Sequence, residues 1–246
     1  MAYEAESILP YNSPDRKSLQ VARMFDAIAG TYDRLNHTLS LGLDKGWRKK
    51  GIASLRPYSP ANILDLATGT GDLALLMCGM LRPQSIIAAD ISEKMMERGR
   101  EKVAEAGCQG IISFEYQDCL SLTYGNQTFD AVTSAFGIRN FEDMERGIAE
   151  MYRVLRPGGR VMILELSSPT AFPMKQLYSI YSGTAIPAAG RLLSKEKQAY
   201  RYLPASVKAV PQGEEMKNLL SRQGFVEAEA RTFTCGICSL YTGAKN

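Results

Sequence analysis

The sequence has few of the residues that hold metals or join chains covalently. It contains one histidine, His37, and five cysteines scattered between Cys78 and Cys238. An odd and scattered set of cysteines favours reduced thiols over a disulfide framework. No histidine and carboxylate cluster has the spacing of metal ligands along the sequence, so we predict that the protein holds no metal.

Charge and hydropathy argue against two further classes of protein. The formal net charge is only +3, and no basic run or platform of aromatic and basic residues occurs, which disfavours nucleic acid as a partner. No stretch of about 18 uncharged apolar residues is present, and the first residues lack the pattern of a signal peptide. We therefore expect a cytoplasmic protein that does not span a membrane.

Length and periodicity predict one α/β domain. The 246 residues suffice for a single domain, which we assign to residues 17–246. The polar, proline-interrupted segment 1–16 is expected to be a mobile leader. Apolar residues at helical spacing predict two helices within 17–56, which would cover one end of the domain.

Strands and helices then alternate, which predicts a doubly wound parallel sheet of the Rossmann-like type. Two further β-like segments near the C-terminus are close enough to form a hairpin. The predicted strands are 63–67, 85–91, 111–117, 129–135, 160–166, 225–231 and 234–243, and the predicted helices are 72–81, 92–106 and 143–155.

Residues 167–210 interrupt the alternation of strands and helices. This segment contains four prolines, four tyrosines and an apolar stretch at 185–189. A connection of this length inside a compact domain is usually functional. We therefore predict a substrate lid, inserted after the fifth strand.

A glycine-rich loop joins the first predicted strand to the helix 72–81. Gly69-x-Gly71-x-x-Ala74 satisfies the dinucleotide fingerprint, so a nicotinamide or flavin enzyme is one interpretation. Asp65 would place a negative charge near a pyrophosphate, whereas a carboxylate there suits a cationic ligand. Asp90, about 20 residues beyond the loop, can hold both hydroxyls of a ribose and fits either cofactor.

Five blocks of the sequence resemble the signature blocks of the ubiquinone/menaquinone biosynthesis C-methyltransferase family. The match runs from about residue 17 to the C-terminus. The blocks are Tyr32-Asp33-x-x-Asn36 with Ser40-x-Gly42 and Trp47-Arg48, Asp65-x-Ala67-Thr68-Gly69-Thr70-Gly71-Asp72, Phe136-Gly137-x-Arg139-Asn140, Arg153-Val154-Leu155-x-Pro157-Gly158-Gly159 and Glu165-x-Ser167-x-Pro169.

The resemblance implies a class I methyltransferase that uses S-adenosylmethionine (SAM), with a seven-stranded sheet in which one strand is antiparallel. It also implies the substrate, because members of the family methylate a ring carbon of a polyprenylated quinol. The reaction would convert demethylmenaquinol to menaquinol, with the ubiquinone precursor as a further substrate. No metal takes part in such a methyl transfer.

The resemblance further implies where SAM binds. The loop 69–71 should line its amino-acid part, Asp90 its ribose, and Asp118 with Cys119 its adenine. Ala135 stands where many members have a serine near the cofactor. The predicted cofactor-binding residues are Asp65, Thr68, Gly69, Thr70, Gly71, Asp90, Ile91, Asp118, Cys119 and Ala135.

Methylation of carbon requires an electron-rich ring. A phenol with a pKa near 10 is ionised only about one part in a thousand at pH 7. Arg139 is suited to hold the phenolate because a guanidinium keeps its own proton, and Asn140 can orient the second ring oxygen. Proton removal is left to a water or to Asp44, Tyr32 or His37, and Asp44 stands where many members have a histidine.

A polyprenyl tail needs an apolar wall and an exit toward lipid. We expect reversible contact with the inner face of the membrane through 185–189, helped by Arg191, Lys195 and Lys197. The rival interpretations are a methyltransferase for another small phenol or lipid, an NAD-dependent oxidoreductase and a SAM-binding protein without turnover. The sequence leaves the oligomeric state open, with a homodimer as one arrangement.

Overall fold

A seven-stranded sheet forms the centre of the protein, whose computed structural model describes residues 3–185 and 196–246. The strands are β1 Asn62–Leu66, β2 Ser85–Asp90, β3 Ile112–Tyr116, β4 Phe129–Ala135, β5 Leu155–Leu166, β6 Val226–Phe233 and β7 Cys238–Ala244. Their order in the sheet is β3-β2-β1-β4-β5-β7-β6. Among the described strands only β7 runs antiparallel to its neighbours, β5 and β6. The predicted sheet with one reversed strand is therefore confirmed.

The strands form where apolar residues are continuous along the sequence. Four of the five residues of β1 are buried, as expected for a parallel strand covered on both faces. Strand β5 starts at Leu155, earlier than the predicted residue 160. The added part contains Gly158, whose amide donates to the Lys245 carbonyl at 2.7 Å. The Pro-Gly-Gly segment, which was predicted only to follow the helix 143–155, therefore lies inside β5.

Helices pack on both faces of the sheet. Neighbouring residues of β1 face opposite sides, so Ile63 and Leu64 belong to different apolar clusters. Helix Glu93–Glu105 begins after Ser92, whose hydroxyl accepts from the Met95 amide at 3.4 Å, as predicted for a helix cap. The helices are α1 Glu4–Ser7, α2 Lys17–Ile28, α3 Tyr32–Leu39, α4 Leu43–Leu55, α5 Asp72–Leu81, α6 Glu93–Glu105, α7 Met144–Val154, α8 Met174–Ile180, α9 Lys197–Ala209 and α10 Glu214–Arg222.

The segment 17–56 contains three helices, α2, α3 and α4, where apolar spacing predicted two. The break between α3 and α4 falls at Leu41 and Gly42, whose φ values are 53° and 75°. These values lie in the left-handed region, which ends a helix. Periodicity concealed the other break, between α2 and α3, because the helical spacing of Val21, Phe25, Ile28, Tyr32 and Leu35 continues through it.

Residues 3–16 lie against the domain. Ala5 of α1 is fully buried, and its carbonyl accepts from Lys17 Nζ at 2.5 Å. Glu6 Oε1 accepts from the Met144 amide at 2.8 Å, at the start of α7. The mobility predicted for this segment stays a prediction, but its side chains cap and cover elements of the domain.

The predicted lid 167–210 includes α8, a π-helical turn at Tyr181–Ala185 and α9. Residues 186–195 lie outside the described residues, as does the side chain of Lys197. The prediction of membrane contact through 185–189, Arg191 and Lys195 falls largely on this part of the chain. In the described ranges 3–185 and 196–246, no helix is long and apolar enough to cross a bilayer.

Candidate active site

Loops at the carboxyl ends of β1 to β4 enclose a large cavity, which we call the cofactor cavity. Its volume is about 990 Å³ including its open mouth. The strand order changes direction between β1 and β4, and sheets of this type bind ligands at such a switch point. Gly71 is not among the residues that line the cavity and stands at the start of α5. The other predicted cofactor residues all line it: Asp65, Thr68, Gly69, Thr70, Asp90, Ile91, Asp118, Cys119 and Ala135.

The glycine loop brings its backbone close to the cofactor cavity. Gly69 and Gly71 have φ values of 58° and 76°, which favour glycine. A Cβ atom on Gly71 would also lie 2.8 Å from the ring of Phe114. Asp90 Oδ2 accepts from the Gly69 amide at 2.7 Å, which fixes the loop against the end of β2. A ligand can therefore approach the loop backbone closely.

Asp65 is a fully buried carboxylate that borders the cofactor cavity. Its oxygens accept hydrogen bonds from the hydroxyls of Thr68 and Thr133, both at 2.7 Å. Burial nevertheless raises the pKa of Asp65 to about 6, because two hydroxyls replace only part of the lost hydration. A cationic ligand in the cavity would stabilise the ionised form.

Ile91, Asp118 and Cys119 border the cofactor cavity at the ends of β2 and β3. Asp118 Oδ1 accepts from the Leu120 amide at 2.9 Å, which orients the carboxylate. Burial raises the pKa of the Cys119 thiol well above its ordinary value, so the thiol stays protonated and acts as a small apolar contact. One oriented acceptor beside apolar side chains suits an adenine, whose exocyclic amine donates.

Asn140 lines the cofactor cavity, although we predicted it to orient an oxygen of the substrate ring. Its Oδ1 atom is buried and has no hydrogen-bond partner among residues 3–185 and 196–246. Buried polar atoms are almost always paired in folded proteins. This acceptor fits a ligand that donates hydrogen bonds, as the ammonium, hydroxyls and amine of SAM do, and its role at the ring stays a prediction.

Thr70 connects the glycine loop to a charged network. Its hydroxyl donates to Asp33 Oδ1 at 2.5 Å and accepts from Lys102 Nζ at 3.1 Å. Lys102 also pairs with Asp33 Oδ2 at 2.7 Å and with Asp72. Helices α3 and α6 thus hold the loop from two sides. Sequence reasoning missed this network, because Lys102 lies outside every family block and nothing local indicates its partners.

A second cavity, the substrate cavity, adjoins the first. Its volume is about 960 Å³ including its open mouth. Residues from α2, α8 and α9 contribute to it, so the predicted lid and the N-terminal helices form part of its wall. Its apolar and aromatic lining includes Met24, Ile28, Leu39, Trp47, Leu166, Tyr178, Tyr181, Tyr200, Tyr202, Leu203 and Ile237. The two cavities share Phe25, Tyr32, Arg48 and Phe136.

Arg139 lines the substrate cavity and is buried. Its Nη1 atom lies 2.8 Å from Glu165 Oε1, and its amide donates to Glu165 Oε2 at 3.1 Å. Burial acts to lower the pKa of Arg139, but Glu165 and the nearby Tyr32 and Tyr202 raise it above its ordinary value. The guanidinium is therefore permanently charged. Glu165 was not predicted to act here, although it belongs to one of the family blocks.

Asp44 lines the substrate cavity at its polar end. Its oxygens accept from Ser40 Oγ at 2.6 Å and from Arg48 Nη1, and Oδ2 lies 2.9 Å from His37 Nδ1. Burial acts to raise the pKa of Asp44, but Ser40, Arg48 and His37 together hold it below its ordinary value. Asp44 is thus a weak proton acceptor, and it orients His37.

His37, Asp44 and Asp72 place one possible ligand atom each within 4.8 Å of one another. The expectation that no histidine and carboxylate cluster has ligand spacing is therefore wrong in three dimensions, because α3, α4 and α5 converge here. Arg48 Nη1 pairs with Asp44, and Arg48 Nη2 lies 3.7 Å from Asp72. Lys102 also pairs with Asp72. These cations neutralise the carboxylates, so the described residues form an ion-pair network here, and the absence of a metal stays a prediction.

Solved structures with the same architecture establish the class of the fold. A [4+2]-cyclase, SpnF, superposes with a TM-score of 0.67 at 16% identity and covers 96% of this chain and 99% of its own. A SAM-dependent methyltransferase from Thermotoga maritima superposes with a TM-score of 0.64 at 16% identity, covering 91% of this chain and 99% of its own. The fold is that of the class I SAM-dependent methyltransferases.

Sequence relatives establish the family. The family model described as the ubiE/COQ5 methyltransferase family matches residues 13–245. A demethylmenaquinone methyltransferase of Bacteroides fragilis is 55% identical over 245 residues, covering all of both chains. That of Porphyromonas gingivalis is 45% identical and covers 98% of both chains. A ubiquinone/menaquinone biosynthesis C-methyltransferase of Geobacter sulfurreducens is 43% identical and covers 93% of this chain and 90% of its own.

The chain belongs to the ubiE/COQ5 methyltransferase family. It is a SAM-dependent methyltransferase, and the NAD-dependent interpretation of the glycine loop is set aside.

Proposed function

We propose that this enzyme methylates a ring carbon of demethylmenaquinol to give menaquinol, with the ubiquinone precursor as a second substrate. One observation supports this most strongly. A cavity with the groups that SAM needs shares Phe25, Tyr32, Arg48 and Phe136 with an apolar cavity that contains Arg139. The names of the full-length relatives point to the same substrate.

The substrate cavity offers three buried polar atoms to a quinol. Arg139 Nε, Arg48 Nε and Tyr202 Oη have no hydrogen-bond partner within the described part of the chain. All three residues line the substrate cavity. Each atom can donate a hydrogen bond to a ring oxygen, and two are on guanidinium groups that remain charged. This donor set suits the oxygens of a quinol and, above all, of its anion.

Stabilising the anion is the main contribution expected from Arg139 and Arg48. A phenol with a pKa near 10 is about three units above pH 7, which corresponds to roughly 4 kcal/mol. Cations in a cavity shielded from water can supply an energy of this size. Glu165 sets the position of Arg139 through two contacts, and Arg48 stacks on Phe136 with 5.0 Å between the guanidinium carbon and the ring centroid.

When bound, SAM supplies an electrophilic methyl group. Asp65, the loop 69–71, Asp90 and Asp118 would hold it in the cofactor cavity. Residues along the wall between the two cavities would orient the ring carbon toward it, and effective positioning accounts for much of the acceleration of such reactions. The apolar side chains around the ring exclude water, which strengthens the contacts of Arg139.

The ring carbon that gains a methyl group must lose one proton. Burial raises the pKa of Tyr32, which keeps its hydroxyl protonated and makes it a donor. Asp44 is a weak acceptor because Ser40, Arg48 and His37 stabilise its charge. His37 is 28% exposed and its Nδ1 faces Asp44. We infer that Asp44 orients His37 and that the proton leaves through water to His37 and then to solvent.

A polyprenyl tail would follow the apolar lining of the substrate cavity outward. Its natural location is a lipid bilayer, so the enzyme would meet the inner face of the membrane reversibly, without a spanning segment.

The direct test is methylation of reduced demethylmenaquinol by the purified chain with SAM. We expect a product heavier by one methylene, together with one S-adenosylhomocysteine per turnover. Asp118→Asn, which keeps the side-chain volume, serves as a control that should weaken SAM binding without changing the regiochemistry. Methylation of other phenols with no reaction of any naphthoquinol would refute the proposed substrate.

A further inference from the structure

Two leucines are exposed at the turn between α3 and α4. Leu41 is 83% exposed and Leu43 is 44% exposed, whereas the adjacent Leu39, Ser40 and Asp44 line the substrate cavity. Leu41 also has a φ of 53°, a backbone conformation that leucine disfavours. A water-facing turn of this shape would ordinarily hold glycine or asparagine. The leucine therefore leaves a large apolar side chain on the surface beside the mouth of the substrate cavity.

A second exposed apolar group lies on α8. Leu177 and Ile180 are 56% and 64% exposed, while Tyr178 and Tyr181 of the same segment line the substrate cavity. The Tyr181 hydroxyl donates to the Leu39 carbonyl at 2.5 Å, which ties this segment to the end of α3. Both elements therefore border the same cavity and expose large aliphatic side chains to the outside.

The exposed charges on these two elements are positive. The one acid within 34–50, Asp44, is buried, and the one charged residue within 167–185 is a lysine. Aliphatic and basic side chains that are exposed on the same two elements match the interface of a bilayer that contains anionic lipids. The exposed basic residues are Arg34, Lys45, Lys49, Lys50 and Lys175.

We propose that Leu41, Leu43, Leu177 and Ile180 form a docking patch that seats the enzyme on an anionic lipid bilayer. The inference rests on the proposed function, because it makes the substrate cavity open beside the lipid in which a polyprenylated quinol resides. The ring enters between the α3–α4 turn and α8 while the tail stays among acyl chains. Four aliphatic side chains and a few lysines give reversible attachment.

Vesicle flotation tests the docking patch without any quinol. The full chain should bind vesicles of phosphatidylglycerol and phosphatidylcholine, bind phosphatidylcholine alone much less, and be released by salt. The double variant Leu41→Ser/Leu43→Ser should bind about tenfold more weakly. Tyr116→Ser is the control, since Tyr116 is a 63% exposed ring on the edge strand β3 and does not belong to the docking patch. Undiminished binding by the double variant, or no binding by the parent, would overturn the proposal.

Activity distinguishes the docking patch from the catalytic site. The double variant should lose rate on demethylmenaquinol embedded in vesicles and keep the parent's rate on tail-free naphthoquinol and its affinity for SAM. Equal loss on both substrates would overturn the proposal. If no naphthoquinol reacts with the parent, the proposed function fails, and flotation still decides whether the patch binds lipid.

A second copy of the chain is the alternative occupant. Light scattering would then show a parent dimer that the double variant converts to a monomer while vesicle binding stays unchanged. That result would assign the patch to self-association and overturn membrane docking.

Discussion

The buried carboxylate of Asp65 makes SAM binding depend on pH in a defined direction. Burial raises its pKa from 3.8 to about 6, so the free enzyme carries a proton there below pH 6. A cationic ligand favours the ionised form, and binding should therefore release this proton. Below pH 6 the Kd for SAM should rise about tenfold per pH unit.

The structure also sets an upper limit to the effect. If the ligand returned the pKa of Asp65 to its ordinary 3.8, the shift would be about two units, or roughly 3 kcal/mol. The Kd should therefore rise by at most about a hundredfold before it levels off in acid.

Calorimetry between pH 5 and pH 7.5, in buffers of different ionisation enthalpy, counts the released proton. The count should be near zero at pH 7.5 and approach about one at pH 5. Asp65→Asn should bind SAM more weakly at pH 7.5 and show a flatter profile below pH 6. An unchanged slope in this variant would refute the assignment of the proton to Asp65.

The sign for folding is opposite to that for binding. In the absence of SAM, the folded state holds the Asp65 proton between pH 3.8 and about 6 while the unfolded chain has lost it. The free energy of unfolding therefore falls as pH rises through this window, by an amount bounded by the same roughly 3 kcal/mol. Without ligand, Asp65→Asn should melt at a higher temperature than the parent at pH 7.5, and a lower melting temperature would contradict the argument.

Three further predictions concern the site. Arg139→Lys keeps the charge but loses the planar fork of the guanidinium. The single-turnover methylation rate should therefore fall at least about tenfold, while the affinity for SAM stays unchanged. A rate within about twofold of the parent would show that Arg139 takes no part in the mechanism. Asp90→Ala should weaken SAM binding by about 2 to 3 kcal/mol, measured by calorimetry, and unchanged affinity would refute the ribose assignment. Glu165→Gln removes the negative charge that neutralises the buried guanidinium of Arg139. The free energy of unfolding, measured with denaturant, should therefore fall by roughly 3 kcal/mol. An unchanged denaturation midpoint would mean that Glu165 does not stabilise the fold.

The sheet and the glycine loop could be predicted because their signals are local. The central strands β1, β2 and β4 are short apolar runs, and α5 begins and ends at the predicted residues 72 and 81. A family block then supplied the cofactor residues around Asp65, and the distance from the glycine loop supplied Asp90. The same kind of signal failed between α2 and α3, where the helical spacing of apolar residues continues from Ile28 to Tyr32 although the helix breaks.

Pairs that depend on tertiary packing could not be predicted in the same way. Arg139 and Glu165 are 26 positions apart, and Asp33 and Lys102 are 69 apart. Each residue considered alone gives no indication of its partner. Their pairing depends on how helices and strands cross in the folded protein. The sequence around these positions contains no periodic pattern that indicates this crossing.

The wall between the two cavities is one side chain thick at Phe25, Tyr32, Arg48 and Phe136, each of which borders both cavities. A ligand on either side therefore changes the packing and electrostatic surroundings met by a ligand on the other. By linkage, any increase in quinol affinity caused by the cofactor equals the increase in cofactor affinity caused by the quinol. The cation of one compartment and the anion of the other attract each other across Arg48. The two substrates should thus bind cooperatively. The demethylated cofactor lacks the sulfonium charge, so the enzyme should bind its quinol more weakly with that product bound than with SAM bound.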